Sequence, residues 1–304
     1  MFSALGDSWQ SGARWILYVA NRSAAEIRMS TVNKDTKLAI LRLMLSSRLS
    51  DETEHALKRR GRGHFQLSSE GHEGLAGIAL AMHKEDWLHP HYRDRAIVLG
   101  RGLTHDDFFL DFYAKAGSTT GGRMMPVHYN SRRHRIVSLS SPVATNMLQA
   151  VGMAMSLQER KIPEVVVASI GDASTREGES LEAFAQAGVD NLPIVFLIED
   201  NSYGISTPTV GKTFWTMPHG LATSPDGTQW FYGCRVELVD GLDPIAVYGA
   251  AIEALDRARN GQGPTCLVTK VERMKSHSSS DDQRIYRSAE ELKEIQHKDP
   301  VKHY

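Results

Sequence analysis

Two short apolar runs rich in β-branched residues fix most of what this chain can become: Val165 to Ile170 and Ile194 to Ile198, with a helical stretch between them. The first ends in Gly171-Asp172-Ala173-Ser174 and the second in Glu199-Asp200-Asn201-Ser202-Tyr203-Gly204. Apolar strands joined through a helix make a βαβ unit. Ligands of open parallel sheets gather at the carboxyl ends of the strands, and there stand one acid, Asp172, and one amide, Asn201. Magnesium takes one or two protein oxygens and fills its remaining positions with phosphate and water, so the pair points to a cation that holds a diphosphate. The helix after Ser174 would turn its unpaired N–H groups toward the same anion. The plain alternative is an ordinary βαβ loop with an acidic helix cap.

The rest of the composition narrows the function classes. The 304 residues suffice for a sizeable core and one large α/β domain with extensions. A net charge of -1, both signs interspersed, gives no electrostatic case for a nucleic-acid or anionic-membrane partner. Cys234 and Cys266 stand singly in apolar runs, which supports neither a disulfide framework nor a cysteine zinc site and points to a reducing, cytoplasmic compartment. His89, His91 and His105 lie in stretches that read as polar loops, and no His-Glu-x-x-His occurs. No apolar run reaches the roughly twenty residues that span a bilayer. Residues 1–28 carry Arg14, Arg22 and Arg28, weakly like a transit peptide to the mitochondrial matrix, although Asp7 and Glu26 argue against that and Met29 could be the start.

Along the chain, Leu38, Leu41, Leu45 and Leu49 predict an amphipathic helix from Lys34 to about Arg60, packed through that leucine face. A small-residue helix is expected from His72 to Met82, and Gly74, Ala76, Gly77 and Ala79 suit close packing on another helix. His89 to Arg95 is dense in donors. Arginine matches phosphate through its planar fork, so Tyr92 and Arg93 are candidates for the diphosphate, with a surface salt-bridge cluster as the alternative. Thr104, with Asp106 and Asp107 behind it, caps a helix expected to reach Gly117. From Gly117 to Arg135 runs a long Gly-, Arg- and His-rich loop containing His128, of the length that is usually functional or mobile. Ser138 to Thr145 then enters a helix with a face of Leu148, Val151, Gly152 and Met155. Asp243-Pro244 starts another helix that Gly261 stops, lined by Val247, Ala251, Leu255 and Ala258. The strand Thr265 to Val271 leads to the polar loop Lys275 to Asp282, where His277 is a candidate acid or base.

Gly171-Asp172-Ala173 followed by Asn201 resembles the Gly-Asp-Gly…Asn signature of thiamine diphosphate enzymes, with Ala173 in place of the usual glycine. The blocks from Lys34 to Pro300 together resemble the alpha subunit of the decarboxylating component of a 2-oxo acid dehydrogenase complex. Met125 to Tyr129, Ser140 to Thr145, Ile205 to Pro208 and Ser278 to Ser288 look closer to the branched-chain (2-oxoisovalerate) members than to the pyruvate ones. The resemblance implies an α/β fold of the thiamine diphosphate-binding type, a mostly parallel sheet with helices on both faces. It makes residues 1–33 an N-terminal extension and residues 34–304 one diphosphate-side domain, short of the further helices in which relatives usually end.

Carried over, Tyr92 and Arg93 fall at the diphosphate, followed by Ala173 and Ser174. Ser141 and Val143 fall beside the aminopyrimidine. Asp172, Asn201 and the Tyr203 carbonyl are the implied magnesium ligands. Ser140, Pro142, Thr145 and Asn146 match a monovalent-cation (potassium) site of some members, with Asn146 replacing a Gln. His277 matches the active-site histidine and contacts the cofactor, His128 is a second catalytic candidate, and Ser278 falls where animal relatives are phosphorylated. The implied reaction is oxidative decarboxylation of a small branched-chain 2-oxo acid, with the acyl unit passed to a lipoyl group on an acyltransferase. The carboxylate that activates the cofactor would come from a beta subunit or a fused beta-like half, so the chain alone is expected to be inactive. Two other readings compete: a transketolase-like or acetoin-cleaving enzyme, and a non-catalytic paralogue acting as an assembly subunit. The last is motivated by Ala173, the acidic Glu199-Asp200 and the short carboxyl end.

Overall fold

The computed structural model describes residues 32–304. The N-terminal extension and its arginines therefore lie outside the described residues, apart from 32 and 33. The strands are β1 (Trp87–His89), β2 (Val166–Gly171), β3 (Ile194–Asp200), β4 (Tyr203–Gly204), β5 (Thr207–Pro208), β6 (Ala222–Thr223), β7 (Gln229–Phe231), β8 (Cys234–Asp240) and β9 (Thr265–Lys270). The α-helices are α1 (Lys34–Arg59), α2 (Ala76–Ala81), α3 (Arg95–Gly100), α4 (His105–Phe112), α5 (Thr145–Glu159), α6 (Gly178–Asp190), α7 (Pro244–Arg259), α8 (Ala289–Gln296) and α9 (Pro300–His303). Seven strands form one sheet in the order β1-β2-β3-β9-β8-β7-β6, while β4 and β5 pair as a separate hairpin. Along β1-β2-β3-β9-β8 every pairing is parallel, while the β8–β7 and β7–β6 pairings at one edge are antiparallel.

Side chains alternate across a strand, so a continuous apolar run feeds two cores at once. Val167, Val195, Leu197 and Leu267 join one core with Ile78 of α2 and Val247, Ala251 and Leu255 of α7. Val166, Ala168, Ile194, Phe196, Ile198 and Val268 join the other with Met147 and Ala150 of α5 and Ala183 and Phe184 of α6. All seven residues of β3 are buried. At roughly 1.5–3 kcal/mol for each large apolar side chain fully buried, β3 alone contributes strongly to both layers.

The start of α7 is as expected: the Asp243 carboxylate accepts from the N–H groups of Ile245 (2.9 Å) and Ala246 (3.1 Å), and Pro244 takes the first position. Thr104 and Asp107 form a reciprocal capping box on α4. That helix ends at Phe112 rather than Gly117, with Phe108 and Phe112 in the interior. The small-residue segment is shorter than expected too, a 3₁₀ turn at Glu73–Leu75 followed by α2. It does pack on another helix: a Cβ on Gly77 would lie 2.6 Å from the carbonyl oxygen of Pro244 at the start of α7.

Two predicted faces are corrected. In α1, Leu38, Leu45 and Leu49 are 39, 40 and 61% exposed, whereas Ile40, Met44, Arg48, Asp51 and Glu54 are buried. The charged residues go inward because each finds a partner. Arg95 forms a bidentate pair with Glu54 (2.8 and 2.6 Å), Arg48 meets Glu73 (2.6 Å) and Asp299 (2.9 Å), and Asp51 accepts from Gln66, Ser68 and the Ser69 N–H. In α5 the sheet takes Asn146, Met147, Ala150, Val151, Ala154 and Leu157, leaving Leu148, Gly152 and Met155 exposed. His89 and His91 are also buried, not in an open polar loop.

Candidate functional site

Gly171 pairs with Glu199 at the ends of β2 and β3, which places Asp172 level with Asp200 and one residue short of Asn201. The Asp172 N–H donates to the Glu199 carbonyl (3.2 Å), so the tip is held to its neighbour by backbone. The Thr209 hydroxyl donates to Oδ2 of Asp172. Asn201 turns its Oδ1 to the Tyr203 N–H (3.2 Å), and β4 and β5 then fold the chain back over the tip. Asp200 is engaged at both oxygens: Lys270 (3.2 Å) and the Ser202 N–H (2.9 Å) reach Oδ1, and the Trp215 indole donates to Oδ2 (3.0 Å). Burial pushes the carboxyl of Asp172 up to about 6, and the Asp200 carboxylate adds to the rise. Negative charge at this tip thus exceeds its compensation by Lys270, a deficit that a divalent cation would relieve.

A second arm of the site comes from the segment after β1. Arg93 is fully buried and donates to two carbonyls, those of Ser68 and His277 (2.9 Å). Its Nη2 also lies 3.2 Å from Nδ1 of His277. A guanidinium can only donate, so Nδ1 accepts and the ring proton sits on Nε2. The His277 N–H donates to Asp281 (2.7 Å), and the Tyr92 and His277 rings meet edge to face at 6.1 Å. Burial, then the Arg93 and Arg273 charges, holds His277 down to about 3, against the opposing pull of Asp281. The imidazole is therefore neutral at physiological pH. Arg93 resolves the earlier alternatives in part: it forms no salt bridge on the surface but is a buried clamp on the His277 loop.

His128 has the opposite tautomer. Its Nδ1 lies 3.1 Å from the Pro126 carbonyl, which can only accept, so Nδ1 carries the proton and Nε2 accepts from Ser141 Oγ (2.8 Å). Burial lowers its pKa as well. A narrow cleft is lined by His91, Tyr92, Ser140, Val143, Asn146 and Ser174 among others; Asp172, Asn201, Arg93, His277 and His128 are not among its lining residues. Ser141, Pro142 and Val143 are exposed at its mouth, and Asn146 spends its amide on the Ser169 carbonyl (2.9 Å). The methyl of Ala173 is accommodated because Gly204 faces it: a Cβ there would stand 2.7 Å from that of Ala173.

Sequence reasoning missed four contributors: Thr209, Gly204, and the buried pair His91 and Glu199, whose Nδ1 and Oε1 lie 3.1 Å apart. Nε2 of His91 is buried without a partner among the described residues, and His91 lines the cleft. Nothing local announces these contacts, since Thr209 lies 37 residues from Asp172 and His91 lies 108 from Glu199. No cluster of three or more His, Cys, Asp or Glu suited to a metal occurs among the described residues. No helix among them is long and apolar enough to cross a membrane.

The family profile described as dehydrogenase E1 component matches residues 41–304. The 2-oxoisovalerate dehydrogenase subunit alpha of Bacillus subtilis is 37% identical over 266 residues, 86% of this chain and 78% of that protein. The mitochondrial alpha subunits of Caenorhabditis elegans and Homo sapiens are 33 and 32% identical over 86 and 85% of this chain. This chain spans 59 and 57% of those two longer proteins. By its profile match and these identities, the chain belongs to the dehydrogenase E1 component family, alongside the alpha subunits of 2-oxoisovalerate dehydrogenase.

Proposed function

We propose that the chain is the alpha subunit of a thiamine diphosphate-dependent dehydrogenase of branched-chain 2-oxo acids. The observation that carries this is an acid and an amide at adjacent strand tips, with the Tyr92-Arg93-His277 arm built beside a cleft that Tyr92 and Ser174 line. The residues fit the cofactor: Lys270 compensates only part of the negative charge at the strand tip, and the buried Nε2 of His91 has no partner among the described residues. Asp172, Asn201 and the Tyr203 carbonyl would hold magnesium, and Tyr92, Arg93, Ala173 and Ser174 would border the diphosphate. Ser141, Val143 and His277 would complete the cofactor contacts. Ser140, Pro142, Thr145 and Asn146 would hold a monovalent cation such as potassium, the Asn146 carbonyl oxygen being the end not used by Ser169.

When bound, thiamine diphosphate would supply the electron sink for the charge left at the 2-oxo carbon when carbon dioxide departs. The protein's part is positioning and proton handling. His277, neutral and carrying its proton on Nε2, serves as a hydrogen-bond donor whose ring Arg93 orients at Nδ1 while Asp281 anchors its backbone N–H. His128 holds Ser141 at the cleft mouth. A beta subunit or beta-like half supplies the activating carboxylate, and a lipoyl acyltransferase takes the acyl unit. The test is turnover of a panel of 2-oxo acids, ketose phosphates and acetoin by the full chain with and without a co-expressed beta-type partner. Turnover of branched-chain 2-oxo acids only with the partner is expected. Full activity of the chain alone, or preference for ketose phosphates or acetoin, refutes the proposal.

A further inference from the structure

We infer that Thr209 determines which divalent cation the Asp172 site accepts, favouring magnesium over calcium by disfavouring ligation through both carboxylate oxygens. The inference rests on the cofactor reading above and concerns a residue that reading does not use. The β4–β5 hairpin returns the chain so that the Thr209 N–H donates to the Ser202 carbonyl (3.0 Å) and the side chain, 6% exposed, faces Asp172. Its hydroxyl donates to Oδ2. Toward an ionised carboxylate a hydroxyl has no other role. Asp172 is fixed at its backbone by Glu199, so the contact holds the side chain in one orientation.

The two cations differ in what they ask of a carboxylate. Calcium accepts both oxygens of one group and gathers six to eight ligands, whereas magnesium requires a near-octahedral shell and single oxygens. Thr209 takes one lone pair of Oδ2 and fixes the side chain, which disfavours two-oxygen ligation and leaves Oδ1 the less encumbered oxygen, as magnesium requires. Asp200, the other carboxylate at the tip, is already engaged at both oxygens, which opposes its joining the shell. Trp215 occupies its Oδ2, and Lys270 and the Ser202 N–H occupy its Oδ1. The coordination number is therefore limited on two sides by independent contacts.

The experiment is calorimetric titration of the full chain, co-expressed and purified with its beta-type partner, with magnesium and, separately, calcium chloride in saturating thiamine diphosphate, comparing wild type with Thr209→Val and Thr209→Ser. Valine keeps the shape and loses the donor. The calcium-to-magnesium affinity ratio should rise about tenfold in T209V, the worth of one hydrogen bond to a charged group, and return to the wild-type value in T209S. Circular dichroism and the thermal midpoint monitor folding, and T209A is read in the same way if T209V does not fold. An unchanged ratio in T209V, or equal weakening of both cations, overturns the inference, because a loop prop would act on both alike. A wild-type complex that binds neither cation with thiamine diphosphate overturns the cofactor reading and this inference with it.

Discussion

Replacing Arg93 with methionine removes the clamp between the Ser68 segment and the His277 loop while keeping most of the buried volume. The guanidinium now serves the Ser68 and His277 carbonyls. A buried acceptor left without its donor costs about 1–3 kcal/mol, more where the donor was charged. Ser68 is buried and would bear that in full, whereas the half-buried His277 loop can turn to water and recover part of it. Losing the clamp should therefore cost roughly 2–4 kcal/mol, read as a lower urea midpoint at unchanged slope. The same substitution removes the largest charge that depresses His277, leaving burial and Arg273. Titration of the His277 ring protons by NMR should show a pKa above the present value of about 3, still below that of an exposed histidine. R93K, with a single donor group in place of the fork, should fall between the two. Unchanged stability and an unchanged His277 titration would refute the clamp.

His91 is held down to about 3 by burial, far below an unfolded histidine. Its neutral form stabilises the fold above the unfolded pKa, and that contribution is lost as pH falls from about 6.5 toward 3, with a slope of about 1.4 kcal/mol per pH unit. His91→Gln should flatten the acid limb of a stability–pH curve by that amount, and an unaltered limb would count against it. The inverted face of α1 is tested by two variants: Met44→Ala should cost about 2–5 kcal/mol and Leu49→Gln less than about 0.5 in chemical denaturation. Equal effects would restore the leucine face. Gly77→Ala should destabilise by roughly 1–3 kcal/mol, since its methyl would meet the Pro244 carbonyl at 2.6 Å, and a thermal midpoint matching wild type would show that α2 and α7 separate freely.

Much of the sheet was readable because a doubly covered parallel strand leaves a plain trace. Ile194 to Ile198 is apolar at every step and Val165 to Ile170 at every step but Ser169, and only a strand buried on both faces needs that. Asp172 and Asn201 followed, since their positions depend on the strand ends alone. The faces of α1 and α5 were not readable. Apolar periodicity assumes that charge faces water, but Arg48, Asp51 and Glu54 are buried against partners supplied by distant segments, which displaces the leucines outward. The same limit hid Thr209 and His91, whose significance lies in contacts with residues far along the chain.

The position of β3, walled in by β2 and β9 and wholly buried, bears on how the site opens and closes. Amides of Ile194 to Ile198 belong to the part of the molecule that should exchange with deuterium only when the whole domain unfolds. Asn201 hangs from the end of that slowest-exchanging strand, whereas Thr209, Trp215 and His277 sit on connecting segments. Arrival or departure of a ligand would then be registered by the connecting segments, with the strand tip serving as the stationary jaw.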